Sequence, residues 1–428
     1  MALSRMRMGL TAATSLAVAA LVLSGCSTAP AASDNTADGD GTLLSIFWKG
    51  SEKAGIDAAV AAYKESHPDV EIVVSTADVE QYQATLRTQL SAGTAADVVF
   101  VWPANGNPAT ISQIAPGGFL EDLTDRDWVE NYPEAIRDLT SIDGKVYLMA
   151  PAVSSFGPWY NQTALAEVGV PAPTQWSEVL PFCEAAQDKG KVAYAIGAGT
   201  LNTNQNPLFG LVPDLVFNDT PDFDKQLTNG KTTFSENEGW VTAMDRYQQM
   251  NEAGCFNPDP TGSNQDDQNK LVASGQAVGM FGIGTQLAAL KTLAPDEEFL
   301  ITPFSGADGA KTHFLTASNA GGAAVNAGAK NKDLAFEFVD WLATPEGLAA
   351  YNDALAGTIP SIPNPSADMD ENQKVMTEFL TDGRTVPYLD QRWPNPRIQQ
   401  ALFSAVQGML AGTMQPADVL KAMDAEVE

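Results

Sequence analysis

Two tryptophans stand where a flat, partly apolar ligand would be gripped. Trp48 closes the run Leu43-Leu44-Ser45-Ile46-Phe47 and leads into Lys49-Gly50-Ser51-Glu52. Trp102 closes Asp97-Val98-Val99-Phe100-Val101 and leads into Pro103-Ala104-Asn105-Gly106-Asn107. An indole face stacks on the C–H groups of a sugar ring, and amides and carboxylates match a rim of hydroxyls. Trp48, Trp102, Trp159 and Trp393 are candidates for the first task; Glu52, Asn105, Asn319 and Asp390 are candidates for the second. Each tryptophan taken alone is equally well a core residue, since Trp is commonly buried. Two at equivalent strand ends, each followed by a polar loop, favour a cleft.

Other chemistries find no foothold. The chain has no GxxxxGK[ST] phosphate loop, no HExxH helix and no GxSxG nucleophile elbow. Gly282-Ile283-Gly284 lacks the third glycine and the acidic partner of a dinucleotide fingerprint, so it reads as a tight turn. His67 and His313 stand far apart without a Cys or carboxylate cluster at ligand spacing, so neither a metal nor a cofactor is expected. Acid–base pairing of carboxylates depends on side-chain placement rather than spacing. A secreted carbohydrate-active hydrolase or lyase therefore stands as the alternative to a binding protein without enzymatic activity. A cell-wall structural or adhesive protein is a third class.

The elements that must position these residues alternate between strand and helix. After the strand ending at Trp48, Ile56, Ala59, Val60 and Tyr63 fall at helical spacing up to His67-Pro68. Val70 to Ser75 is a β-branched strand, Tyr82, Leu86 and Leu90 mark the next helix face, and Gly93 stops it. Further helices are expected over 176–189, carrying Cys183, and over 238–253, ended just before Cys255. A pair follows around Leu334, Phe338 and Leu342 and at Thr344-Pro345-Glu346, with Pro at the first helical position. Such alternation predicts a parallel α/β sheet, in which ligands sit beyond the carboxyl ends of the strands.

With 428 residues, 44% hydrophobic and 18% charged, the chain has material for more than one core. Its formal charge of −29 opposes phosphate backbones, which excludes nucleic acid as a partner. Arg5 and Arg7 precede the apolar run Leu10–Val22 and then Leu23-Ser24-Gly25-Cys26. This resembles a lipoprotein signal, with residues 1–25 removed and Cys26 acylated to hold the protein on the bilayer. An ordinary signal peptide with a chance Cys is the other reading. Residues 26–41, small, polar and acidic, read as the lipidated Cys and a disordered tether. Cys183 and Cys255 form an even pair in an exported chain, read as a disulfide with two buried free thiols as the alternative.

The segments LLSIFWKGSEKAGIDAAVAAYKESHPDVEIVV, SAGTAADVVFVW, GGFLEDLTD, DGKVYLMAPAVSSFGPWYNQTALAEVGVPAPTQWSEVLPFCEAAQ, SGQAVGMFG and NAGAKNKDLAFEFVDWLATPEGLAAYN follow one another in the order found in one family. Together they resemble the extracellular solute-binding proteins of the maltose-binding type, which serve ABC importers. The resemblance implies a two-lobed, periplasmic-binding-protein-like α/β fold, with a hinge of three chain crossings and a ligand cleft between the lobes. By analogy, lobe one covers 42–150 plus 317–355 and lobe two 151–316 plus 356–428. It further implies a monomer, lipid-anchored on the extracytoplasmic face of the membrane, that captures a carbohydrate and hands it to the importer's permease subunits. In the family, an aromatic after the third strand stacks on sugar, which falls on Trp102. The loop after the first strand contacts ligand, which falls on Lys49, Ser51 and Glu52. Asn105 falls in the loop after Trp102, and Trp393 near a C-terminal cleft aromatic. After SGQAVGMFG many relatives carry a stacking Trp; here Ile283-Gly284-Thr285-Gln286 stands instead, which points away from maltose itself.

Overall fold

A computed structural model describes residues 42–363 and 369–427. The expected signal peptide, Cys26 and the tether lie outside the described residues. Apolar and β-branched runs build β1 (Leu43–Lys49), β2 (Glu71–Ala77) and β3 (Val98–Val101). β1 pairs in parallel with both of the others. It is buried along most of its length and β3 along all of it, as suits parallel strands covered on both faces. β2 alternates exposed and half-buried residues because it is the edge strand. Helices Lys53–Ser66 and Val79–Ala92 bury the faces expected from spacing, Ile56, Ala59 and Tyr63 on the first and Tyr82, Leu86 and Leu90 on the second. Gly93, at φ 68°, ends the second helix in the left-handed conformation that glycine adopts without a Cβ clash.

The chain then builds a second sheet. Its spine is β4 (Ala152–Asn161), buried at every position. β5 (Val192–Tyr194), β6 (Ala277–Ile283), β7 (Phe299–Ile301) and β8 (Leu315–Asn319) join it. β9 (Gly322–Val325) returns to the first sheet, antiparallel to β3. β10 (Thr358–Pro360) and β11 (Thr385–Val386) go back to the second. The four-stranded sheet runs β9-β3-β1-β2. The seven-stranded one runs β11-β8-β4-β6-β5, with β7 and β10 also on β4. Helices Lys332–Leu342 and Pro345–Asp353 close over the first sheet's side, the second capped by Thr344, whose hydroxyl accepts from the Gly347 N–H.

The strand order makes the chain pass between the two sheets three times, near Ala150–Pro151, Ala320–Gly321 and Ala356–Gly357. The crossings lie side by side. Met149 bridges to Ala323, Thr358 pairs with Ser154, and Asn352 Nδ2 donates to the Pro151 carbonyl at 3.0 Å. Gly357, at φ 79°, packs backbone to backbone on Gly284, where a Cβ on either residue would collide with the other's carbonyl oxygen. The expected lobe bound at 317 falls inside β8, which pairs with β4.

Cys183, on the helix Val179–Asp188, and Cys255, beyond the helix Glu238–Glu252, form a disulfide with Cα atoms 5.0 Å apart. Both are buried, and the Tyr194 N–H donates to the Cys255 carbonyl at 2.9 Å, so the bond ties two helices to the end of β5. Among the described residues no helix is long and apolar enough to cross a membrane.

Candidate functional site

The carboxyl ends of β1 and β3 carry a compact cluster on the first lobe. Lys49 Nζ lies 2.7 Å from Glu52 Oε1, and both side chains are buried. Glu52 Oε2 accepts from the Tyr351 hydroxyl at 2.5 Å, and that hydroxyl in turn accepts from Trp48 Nε1 at 3.2 Å. Burial, and next the Glu52 carboxylate, hold the Tyr351 phenol well above its ordinary pKa, so it stays a donor. The Lys49 ammonium also sits 4.5 Å from the Phe100 ring and 5.6 Å from the Trp102 ring, an arrangement that attracts a cation to the π face. Trp48 has no exposed surface and packs edge-on to Phe100, whereas Trp102 stays half-buried with Phe100 and Tyr82 against its edges. Ser51 is exposed.

Across the junction stands the segment Tyr388–Pro394 of the second lobe. Asn105 reaches it with its amide nitrogen. Nδ2 donates to the carbonyls of Trp393 and Pro394 at 2.9 Å each, and Oδ1 accepts from Ser112 and Gln113 at 3.0 and 3.2 Å. The Asn105 N–H donates to the Gln391 carbonyl at 3.1 Å. Next to it Gly106 leaves room for Asp390: a Cβ on Gly106 would lie 2.6 Å from Asp390 Oδ2. That oxygen accepts from Gln399 Nε2 at 2.8 Å. The Asp390 residue is partly exposed, yet burial of its carboxyl among these neighbours pushes the pKa up to about 7.

Gln391 connects this segment to β8. Its Nε2 donates to the Asn319 carbonyl at 2.9 Å and its Oε1 accepts from Ser318 Oγ at 2.7 Å. The Asn319 side chain is fully buried, and neither Nδ2 nor Oδ1 finds a partner among the described residues. Trp393 packs against Phe234 and Trp240, and its indole N–H also lacks a partner among the described residues. Trp159 is buried on β4 and donates to the Gly282 carbonyl at 3.2 Å. A cavity of about 190 Å³ lies between the lobes. Ile136 and Leu139 line one side of it, and Phe217, Ala317, Val386 and Arg392 the other.

The structure thus gathers Trp48, Lys49, Glu52 and Trp102 on one lobe, from which Asn105 reaches across to the segment of the other that carries Asp390 and Trp393 and that Gln391 ties to Asn319. Trp159 stands apart on the central strand. Sequence reasoning missed Gln391, Gln399 and Tyr351. The polar run Asp390-Gln391-Arg392 between Tyr388 and Trp393 was a signal for the first. Tyr351 looked like a core residue on a helix face and gave none. Among the described residues no group of three or more His, Cys, Asp or Glu could hold a metal ion.

Residues 58–377 match the sequence profile of a family described as bacterial extracellular solute-binding proteins. The chain belongs to this family. Like its other members, this solute-binding protein is extracytoplasmic. It is 28% identical over 189 residues to the osmoprotective compounds-binding protein GgtB of a Synechocystis species, a match covering 43% of each chain and so less than half of that relative's length. It is 21% identical over 351 residues to the multiple sugar-binding protein of Streptococcus mutans, covering 80% of this chain and 81% of that one. A solved sugar transporter protein of Bacillus licheniformis, in complex with stachyose, superposes with a TM-score of 0.71 at 18% identity. That match covers 90% of this solute-binding protein and 98% of that chain. The two-lobed fold is shared.

Proposed function

We propose that this protein captures a neutral carbohydrate between its lobes and delivers it to the permease subunits of an ABC importer. The observation that carries the reading is the junction itself. Loops at the carboxyl ends of β1 and β3, bearing Trp102 and Asn105, face the segment 388–394, which carries the Gln391 amide and a carboxyl, Asp390, raised by burial to about 7. Flat aromatic surface near the unpartnered Asn319 amide suits a polyol. The Lys49 charge is already matched by Glu52, so Lys49 does not call for an ionic ligand. The sugars named for relatives, stachyose among them, point the same way.

In this reading Trp102, Asn319, Asp390 and Trp393 face the ligand, with Ser51 and Asn105 at the mouth. Trp48, Lys49, Glu52 and Trp159 frame the site. Lobe one comprises about 42–150 and 321–355, lobe two 151–320 and 356–428, and the protein works as a monomer without catalysis. Cys26 carries the lipid. Glu52 is committed to Lys49 and Tyr351, which removes it as the second carboxylate that a glycosidase would need beside Asp390.

The test is thermal unfolding against a saccharide panel, with product analysis of the same mixtures. A ligand at 100 times its Kd adds roughly 2.7 kcal/mol of stability. A clear shift without hydrolysis is expected, and hydrolysis products would replace the binding reading with an enzyme. For the anchor, Cys26→Ala should move the protein from the membrane fraction to the medium; retention on the membrane would place the attachment elsewhere.

A further inference from the structure

We propose that Asn319 and Ser155 jointly bind one hydroxyl group of the ligand, at the strand that runs into the second chain crossing. The proposal rests on the carbohydrate reading above. Both side chains have no exposed surface, and Asn319 Nδ2, Asn319 Oδ1 and Ser155 Oγ all lack hydrogen-bond partners among the described residues. Buried polar atoms in native proteins are nearly always paired, so three such atoms in one place mark a missing partner.

They are in one place. β8 pairs antiparallel with β4, setting Asn319 opposite Val153 and Ala317 opposite Ser155. These four side chains share one face of the sheet, and Asn319 and Ser155 are diagonal neighbours on it. Ala317, between them along that face, lines the interlobe cavity. The main chain at Asn319 is pinned, since its carbonyl accepts from Gln391. Other buried polar atoms without partners, such as Trp240 Nε1 and Tyr247 Oη, lie within the second lobe's core and each needs a single partner.

The chemistry of the missing group follows from what an amide asks for. Nδ2 needs an acceptor and Oδ1 needs a donor. An ammonium only donates and a carboxylate only accepts, so neither satisfies both. A hydroxyl does both with one oxygen, and Ser155 Oγ completes its contacts from the diagonal position. The site therefore selects an alcohol over a simple organic acid or a simple amine, neither of which carries both a donor and an acceptor on one group. A hydroxyl held there also sits at the end of β8, one residue before the chain crosses to the first lobe.

Asn319→Leu tests this, since it fills similar volume without polar atoms. The measurements are the unfolding temperature without ligand, and calorimetric titration with raffinose, stachyose and D-galactose. The variant should melt about 1–3 °C higher than wild type and bind the preferred sugar roughly 10- to 100-fold more weakly. A lower melting temperature would show that the amide holds a structural water, and unchanged affinity would show that no ligand hydroxyl reaches it; either result overturns the proposal. Ser155→Ala, a smaller change, should keep or raise the melting temperature and weaken binding several-fold, and unchanged affinity there overturns the proposal equally. A wild type that binds no saccharide defeats the carbohydrate reading itself, a failure seen before any variant is made.

Discussion

The two sides of the lobe junction are built on opposite principles. On the first lobe every charged or polar group of the cluster has a partner: Lys49 with Glu52, Glu52 with Tyr351, Tyr351 with Trp48. On the second lobe Asn319, Ser155 and the Trp393 indole are buried without partners among the described residues, and Asp390 is pushed toward its neutral form. A saturated network is rigid and has nothing left to offer a ligand, whereas an unsaturated one is costly until something fills it. The contrast teaches that the first lobe's polar cluster is framework, and on the proposed reading it is the second lobe that recognises ligand, with Trp102 as the first lobe's contribution.

The sharpest way to break that contrast is Glu52→Ala. It leaves the Lys49 ammonium buried without its carboxylate, a change that costs about 3–5 kcal/mol. Chemical denaturation should show that loss while the affinity of the folded fraction for sugar stays within a few-fold. A large selective loss of affinity with little loss of stability would move Glu52 into the recognition set. Next in size, the double replacement Cys183→Ser with Cys255→Ser should cost about 2–4 kcal/mol, as expected for opening a link between residues 72 apart. Because the bond lies away from the junction, titration should return the wild-type Kd, and a weakened Kd would mean that the brace also shapes the site.

Trp102→Ala comes third. A half-buried indole that stacks on ligand should give up roughly tenfold to a hundredfold in affinity, with a loss of only about 1–2 kcal/mol in stability. If Trp102 belongs to the framework like Trp48, stability falls by about 3–5 kcal/mol and affinity barely moves. The last is a pH dependence. Burial raises the Asp390 carboxyl to about 7 in the folded protein, so the folded state holds a proton that the unfolded chain releases near the ordinary carboxylate pKa. Its contribution to stability is full below about pH 4 and fades as pH rises through about 7. Asp390→Asn should therefore melt close to wild type at pH 5 and above it at pH 8. Equal differences at both pH values would show that Asp390 is ionised throughout.

The framework was largely legible in the sequence because it is written in periodicity. The runs ending at Trp48 and Val101, the helix faces of Ile56 and Tyr82, and the Thr344-Pro345 start all follow local patterns that the structure keeps. The site was legible only in part. Trp48 and Trp102 have the same local context, yet one is enclosed by Tyr351 and Phe100 and the other stays half open. That difference is set by a helix some 300 residues away. The role of Gln391 could not be read for the same reason, since it comes from Asn105 and Asn319, which reach it from opposite sides of the junction. The expected bound at 317 falls inside β8, whose place in the second sheet is decided by its pairing with β4 and not by its own residues.

The three crossings also have a consequence in time. β3 is bordered by β1 on one side and by β9 on the other, and Val98 pairs with Val325. A chain emerging from its amino end makes β1, β2 and β3 early, but it must lay down β4 to β8 before β9 arrives. During that interval β3 presents an unpaired, wholly apolar edge, the kind of surface that recruits other strands. Contacts so distant in sequence also form slowly. The first lobe therefore begins first and finishes late, and a chain cut short anywhere before about residue 325 keeps that edge open for good.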